Sequence, residues 1–500
     1  MRGRARRTAH FFISRPFRAI VLGTAILSLI GCVRPDGLET TGRIAEVSAL
    51  GARQSLTRGD DESAAWPVAE WWRGLDDQQL DCLVLEALDG SPDLAAVDAR
   101  VRQAEAAVLT ADAARGPVLD GTGRVSTYRR SRAFDGQWSN GNDSAVTREA
   151  GLDLNWTIDL WGGQRSAWEA AVGKARAAEI DGRAARIELS IGIARAYAQL
   201  GYAYARHDVA RAELVRARAV LDLTRQKAQS GIEDQLQVRR AEGDVASAEQ
   251  QDVMTDQAIR SARIALAILL GKGPDRAQDI ARPRILTPGA VAVPADLPGE
   301  LLGHRADLVA ARWRVEAADK DISAAQAAFL PNVSISALAG LSSLDAASPV
   351  ALSALTYRFG PAVSLPLFDG GRRRADLADR DAAYDLAVAH YNRTLVSALN
   401  AIADRLSGLH SMETQVAVQQ RAVDAATAAS ALSEARYREG IGSYLEALSV
   451  RQQLLAAEER MAALHAAKVD LSLQLIEALG GGYQPDPQDR PAVAEASRHP

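Results

Sequence analysis

Leu152, Leu154, Trp156, Ile158 and Leu160 alternate with Asp153, Asn155, Thr157 and Asp159, a period of two that gives a strand one apolar and one polar face. Val333, Ile335, Ala337 and Ala339 alternate likewise with Asn332, Ser334 and Ser336. Weaker alternation over Leu119–Tyr128 and Phe359–Leu367 completes two pairs, with strands expected at about 119–128 and 151–161 and at about 332–341 and 358–367. Polar stretches at about 129–147 and 342–356 read as the loops between them.

Most of the remaining chain carries a helical period. Arg372 to Arg438 holds no proline and a single glycine, and Tyr384, Val388, Tyr391, Leu395, Leu399, Ile402, Leu406 and Leu409 recur every three or four residues. Val416, Val423 and Tyr437 continue the series by sevens, so the stretch reads as a sustained coiled-coil seam. Residues 164–229 are more alanine-rich and equally unbroken. Either helix would run about 100 Å at 1.5 Å per residue. Gly231 and Gly440 read as turns, after which helices return over about 234–270 and 444–479. Further helices are expected at about 92–115 and 305–329. These stripes are packing surfaces and carry no chemistry of their own.

The elements occur twice. Asp93, Arg100 and Pro117 recur as Asp307, Arg314 and Pro331 at a constant offset of 214, too long for a solenoid or propeller period. Leu160-Trp161-Gly162-Gly163 answers Leu367-Phe368-Asp369-Gly370-Gly371, and Ser230-Gly231-Ile232 answers Glu439-Gly440-Ile441. The expected layout is a signal peptide over 1–31, an N-terminal segment over 32–91, a first repeat over 92–271, a connection over 272–304, a second repeat over 305–480 and a flexible tail over 481–500.

Six arginines among the first eighteen residues precede an apolar run from Ala19 to Ile30, ending Leu29-Ile30-Gly31-Cys32. The run is too short for a membrane helix and suits a secretory signal. It resembles a lipoprotein signal, which would make Cys32 the lipidated first residue of the mature chain; the alternative is a plain secretory signal with an incidental cysteine. Val33 in place of an aspartate leans towards the outer membrane. The net charge of −5 gives no reason to expect a nucleic-acid face. Cys82, the one other cysteine, is expected to be a small buried apolar residue. No later span suits a membrane helix, so any crossing must be made by strands. Four strands per chain cannot close a membrane barrel, which needs about eight or more, so several protomers are expected to share one wall.

Enzyme chemistry finds no purchase. The histidines at 10, 207, 304, 390, 410, 465 and 499 form no His-x-x-x-His pair, and no glycine-rich phosphate loop opens a helix after a strand. Asp159 and Asp369 beside their Gly-Gly turns are read as organisers of a strand-to-helix corner rather than metal ligands. No cofactor or metal is expected.

The lipoprotein signal, Trp71-Trp72 with Leu75-Asp76, the two Asp-Leu helices, Leu367-Phe368-Asp369-Gly370-Gly371-Arg372 and Arg436-Tyr437-Arg438-Glu439-Gly440 ahead of Tyr444-Leu445-Glu446 together resemble the TolC-type outer-membrane factors, within them the NodT-like lipoproteins of resistance-nodulation-division efflux pumps. The resemblance implies a mainly α fold with a membrane β-barrel: a homotrimer with twelve strands, four per chain, on a long helical periplasmic tunnel. It implies a passive outer-membrane exit duct for drugs or other solutes, partnered by a periplasmic adaptor and an inner-membrane transporter. It also implies a ring of carboxylates at the closed aperture, where alignment on Gly440 puts Glu446 at the first acidic position and Ser449 at the second. Tyr444 either packs that aperture or merely caps a helix pair. Glu446 is equally readable as a solvated first-turn acid, which helices favour. Ser230, Gly231, Gly440 and Gly442 are the expected adaptor-contacting tips. The competing class is a periplasmic coiled-coil lipoprotein that bridges membranes without a pore.

Overall fold

The computed structural model describes residues 39–46, 50–51, 66–129, 144–284, 297–344 and 352–489. Cys32, its signal segment, much of both strand loops and residues 490–500 lie outside them. Along the described chain the elements are α1 (Gln78–Gly90), α2 (Pro92–Ala113), β1 (Val118–Arg129), β2 (Ser144–Ile158), α3 (Gly163–Gln229), α4 (Gln235–Leu269), α5 (Leu297–His304), α6 (Ala306–Ala327), β3 (Asn332–Leu344), β4 (Leu355–Ser364), α7 (Arg372–Arg438) and α8 (Tyr444–Ala478). The duplication is literal in the helices: α2 and α6 have 22 residues each, α3 and α7 have 67, and α4 and α8 have 35.

The chain divides into two compact units, Met1–Arg43 with Ala104–Ala175 and Trp313–Ala389, and Ile44–Gln103 with Arg176–Arg312 and His390–Pro500. The first holds one antiparallel sheet in the order β1-β2-β3-β4. β2 begins at Ser144, well before the alternation read from Leu152, because its early residues pair with β1 from Ser144 and with β3 from Thr147. β2 and β4 end at Ile158 and Ser364, so Leu160 and Leu367 fall outside them. The corners behind these ends are held as the sequence suggests. Asp159 accepts from the Gln164 and Arg165 amides at 3.1 and 2.8 Å, and Asp369 from the Gly371 and Arg373 amides at 3.1 and 3.2 Å, so each acid satisfies free N–H groups at the start of a long helix.

The core of the second unit gathers Leu80, Leu83, Val84 and Ala87 of α1, Ile191, Ile193, Tyr197 and Leu200 of α3, Leu266 of α4 and Leu473 of α8, with Trp71 and Trp72. Asp77 caps α1 by accepting from the Gln79 and Leu80 amides and also accepts from the Tyr197 hydroxyl at 3.0 Å. Cys82 is exposed, contrary to its expected burial: α1 turns Leu80, Leu83, Val84 and Ala87 inward, and Cys82 lies off that stripe. On α7 the seam residues Val388, Tyr391, Leu395, Leu399, Ile402 and Leu409 are buried, while Leu406, Val416 and Val423 are half-buried.

The expected flexible tail is corrected over its first residues. Tyr483 and Asp489 are buried. Arg176 of α3 donates to Asp489 through Nε and Nη2 at 3.0 and 2.6 Å and also pairs with Asp486 and Glu179. Arg183 reaches Asp486 at 2.8 Å, and Arg312 of α6 donates to the Asp489 carbonyl at 2.7 Å. The segment after α8 thus clasps a helix of each repeat. Hydrogen bonds from Arg183 and Arg176 lower the Asp486 pKa to about 2. A lowered acid pKa adds stability that is present at neutral pH and is lost as pH falls from about 4, the unfolded value, through 2. The C-terminal segment is therefore expected to be released from the detergent-purified protein across that window, read as protease cleavage after Gly481. Asp489→Ala should cost about 3 kcal/mol in unfolding free energy, the scale for breaking a buried pair.

Candidate functional site

Register turns the sheet into a two-faced wall. Residues directly opposite each other share a face. Leu119, Leu154, Ala337 and Phe359 form one row, and Gly121, Leu152, Ala339 and Tyr357 the next. Trp156, Ile335 and Pro361, and then Ile158, Val333 and Val363, extend the same apolar face. Leu119, Val125, Leu152, Leu355, Tyr357, Phe359 and Val363, all on this face, are exposed. The opposite face carries Asp120, Asp153 and Arg358 in one row, Thr122 and Thr356 in another, and Asn155 with Ser336 in a third. Among the described residues β1 pairs only with β2 and β4 only with β3, so the wall has two open edges.

In the second unit the two helix pairs end in matching turns. Gly231 and Gly440 take φ of +74° and +78°, a left-handed backbone natural to glycine. Ile232 and Ile441 donate back to the Lys227 and Arg436 carbonyls, each at 2.9 Å, the pattern of a glycine-terminated helix. Asp234 then caps α4 on the Gln237 amide, and Ser443 caps α8 on the Glu446 amide. Ser230, Gly231, Gly440 and the apolar Ile232, Leu236, Ile441 and Leu445 are exposed; Gly442 is half-buried.

The outer membrane efflux protein family matches residues 83–272 and 297–481. The chain is 36% identical over 371 residues to the fusaric acid resistance protein FusA of Burkholderia cepacia, covering 73% of this chain and 69% of FusA. It is 32% identical over 437 residues to the multidrug resistance outer membrane protein MdtP of Escherichia coli strain K12, covering 85% and 88%. The solved structure of the outer membrane protein VceC from Vibrio cholerae superposes with a TM-score of 0.77 at 34% identity, over 84% of this chain and all of VceC. The chain belongs to the outer membrane efflux protein family. It is an outer-membrane efflux channel subunit of the TolC type, and the poreless bridge is not favoured.

As an efflux-family member the chain was expected to show its chemistry at the turns, and the structure separates the residues named there. Glu446 and Ser449 are exposed on α8, whereas Tyr444 is buried. The Tyr444 hydroxyl bonds Asp244 of α4, and its ring meets Tyr437 of α7 edge-on at 5.9 Å. Burial and then Asp244 push the Tyr444 pKa up. Tyr437 in turn bonds the Thr224 hydroxyl at 3.0 Å, and Lys227 both sits 3.9 Å above its ring and donates to its carbonyl. Two turns along α8, Arg451 Nε meets Glu213 of α3 at 3.0 Å with both side chains largely buried. Burial raises the Glu213 pKa, and Arg451 and then Arg216 oppose that rise.

Four ties therefore join the second-repeat helices to the first-repeat helices: Tyr444 to Asp244, Tyr437 to Thr224, Lys227 to Tyr437 and Arg451 to Glu213. Sequence reading missed all four because their partners lie on different repeats. A signal existed for the last, since Arg451 follows Tyr444 and Ala447 along the buried stripe that continues to Leu454, where a cation needs a partner. Arg451→Met is expected to destabilise the helical part by about 3 kcal/mol by leaving the buried Glu213 with only the looser Arg216 contact at 3.8 Å. Adding Glu213→Leu should restore most of the loss, and a double-mutant cycle in urea, followed by circular dichroism in detergent, reads the coupling.

Proposed function

We propose that three copies of this chain form one twelve-stranded barrel in the outer membrane and one helical tunnel below it, the exit duct of a tripartite efflux system. The observation that carries this is the four-stranded wall with one apolar face, one polar face and both edges open. A wall exposed to lipid needs every backbone N–H and C=O paired. Because the strands run alternately up and down, β4 of one copy meets β1 of the next in the antiparallel sense, and rotation closes the ring. The apolar face then lies against lipid, and Asp120, Asp153, Arg358 and the serine and threonine rows line a wet lumen.

A periplasmic adaptor and an inner-membrane transporter supply the energy and choose the cargo. The names of two relatives, fusaric acid and multidrug resistance proteins, support drugs and other small solutes as that cargo. Exposed Ile232 and Ile441 beside the Ser230-Gly231 and Gly440–Gly442 turns suit contact with the adaptor. Glu446, exposed one turn into α8, would bring three carboxylates around the axis, drawing cations and repelling one another. Ser449 leaves the next ring uncharged. The four ties hold the helix pairs together at this end, so opening the aperture requires breaking them. The lipid on Cys32 adds an anchor in the same membrane.

Purified protein in planar bilayers should give cation-selective channels with the detergent mass of a trimer, and Glu446→Ala should weaken the cation preference. A monomer that never conducts would overturn the duct. A conducting trimer indifferent to Glu446 would remove only the acidic ring. Phe359→Arg on the apolar face should cost about 2–4 kcal/mol at mid-depth and lower the yield of outer-membrane trimer. Ser336→Arg on the opposite face should leave the yield intact and change conductance.

A further inference from the structure

We propose that the two strand-to-helix corners form a duplicated binding site for phospholipids of the periplasmic leaflet, in which Trp161 and Phe368 with their neighbouring leucines enter the acyl boundary and Arg165 and Arg372 hold the headgroup phosphate. The inference rests on the barrel reading proposed above. Each corner carries the same order of groups: a leucine, an aromatic residue, two glycines and, four residues past the aromatic one, an arginine. These side chains are kept outward. Phe368 is 92% exposed and Trp161 52%, and Leu160, Leu365 and Leu367 are exposed as well. A β-carbon at Gly162, Gly370 or Gly371 would meet nothing within 4 Å, so the described residues leave both bends uncovered. Apolar groups gathered on an open bend mark a contact surface, which singly scattered ones do not. The Trp161 indole donates to the Pro331 carbonyl at 2.7 Å, and that of Trp156, on the apolar face of β2, to the Arg115 carbonyl at 3.0 Å. Each indole has its N–H satisfied while its ring stays exposed, the amphipathic form enriched at membrane–water boundaries.

Length places the membrane boundary at these corners. On β4 the apolar face runs from Leu355 to Val363, about 27 Å along the strand. At the usual tilt of about 40° it crosses only about 20 Å, short of an apolar band of about 25 Å. Leu365 and Leu367 continue the alternation beyond the strand and supply the remainder, and Leu160 does so after Ile158 of β2. The aromatic residue of each corner then falls at the depth where the girdles of membrane barrels sit. Charge agrees with this placement. Arg373 is held inside the second corner, pairing with Asp369 at 2.7 Å and donating to the Ala328 carbonyl at 2.9 Å, whereas Arg372 is exposed. In the first corner the Arg165 side chain stays 72% exposed although its Nε donates to Glu169 at 2.9 Å. A guanidinium at headgroup depth recognises a phosphate through paired N–H groups while its stem lies along apolar surface. Each corner thus offers a partner to both halves of a phospholipid, and together they fix the depth at which barrel gives way to tunnel.

The test uses the full-length protein reconstituted in vesicles of phosphatidylethanolamine and phosphatidylglycerol. Nitroxide labels on Phe368→Cys and on Ala382→Cys of α7, each combined with Cys82→Ser, read depth: the label at 368 should meet oxygen more readily than a water-soluble nickel chelate, and the label at 382 the reverse. Native mass spectrometry of the detergent-solubilised protein with added phosphatidylglycerol reads the headgroup contact. Arg165→Gln together with Arg372→Gln should lower the bound lipid severalfold, and an excess of inorganic phosphate should not displace lipid from the parent, because the acyl chains share the site. Labels equally wet at 368 and 382, or lipid binding unchanged by the two glutamines, would overturn the site. Displacement by inorganic phosphate would do the same, since it would assign the arginines to a free anion. Alkaline carbonate washing is read separately: a chain washed out as monomer refutes the barrel reading and the site with it, whereas a resistant trimer that fails either readout loses only the site.

Discussion

A strand in hydrocarbon has no water to satisfy its backbone, and this constraint governs the whole molecule. The four-stranded wall pairs two of its strands on both sides and leaves β1 and β4 each with a bare edge. An exposed edge beside an exposed apolar face cannot persist alone in water or in lipid. The arrangement is complete only when other strands cover both edges, and the up-down order makes a copy of the same wall the natural partner. The fold of one chain therefore specifies an assembly before any interface is considered.

Much of this was legible in the sequence because helices and strands announce themselves through local periods. The seam from Val388 to Ile402 is buried as its spacing implies, and alternating residues such as Leu152 and Leu154, Val333 and Ile335 share one face once the register is drawn. What stayed hidden depends on partners distant in the chain. Nothing around Asp486 or Asp489 says that Arg176 and Arg183 lie opposite, so a proline-rich segment passed for a loose tail. Ser144 to Thr147 is polar enough to read as loop, and only its pairing with β1, joined by β3 from Thr147, makes it strand. Cys82 misled because its exposure follows from the inward stripe of α1, a helix the reading had not assigned.

The glycines and acids that the sequence did single out share a trait: their work is local. Asp159 and Asp369 satisfy amides within a few residues, and Gly231 and Gly440 bend the chain where they stand. Such roles can be read from spacing alone. Asp244 and Glu213 act on residues about 200 or more positions away, and a single sequence does not say which acid faces which donor. Their locations in helix interiors, away from caps and turns, made each look like one more solvated charge.

Divergence after duplication explains why each tie at these turns occurs once. Moved by the 209 residues that relate α3 to α7 and α4 to α8, Tyr437, Tyr444 and Arg451 correspond to Ala228, Gln235 and Glu242, and Glu213 and Asp244 to Ala422 and Gln453. In the two ties that end on a carboxylate, Tyr444 and Arg451 belong to the second repeat and Asp244 and Glu213 to the first, whereas Lys227 of the first repeat donates to the Tyr437 carbonyl of the second. The first residue of α8 meets the tenth of α4, so the tie joins non-equivalent positions and a repeat that kept both groups could form it twice. Divergence after duplication has left each tie single, since Gln235 and Gln453 stand where a second Tyr–Asp tie would need Tyr and Asp. The backbone turns at Gly231 and Gly440 remained alike while the side chains behind them became complementary. A shared backbone therefore carries unequal side chains, and the contacts that join the two helix pairs are made by residues that the other repeat mostly lacks.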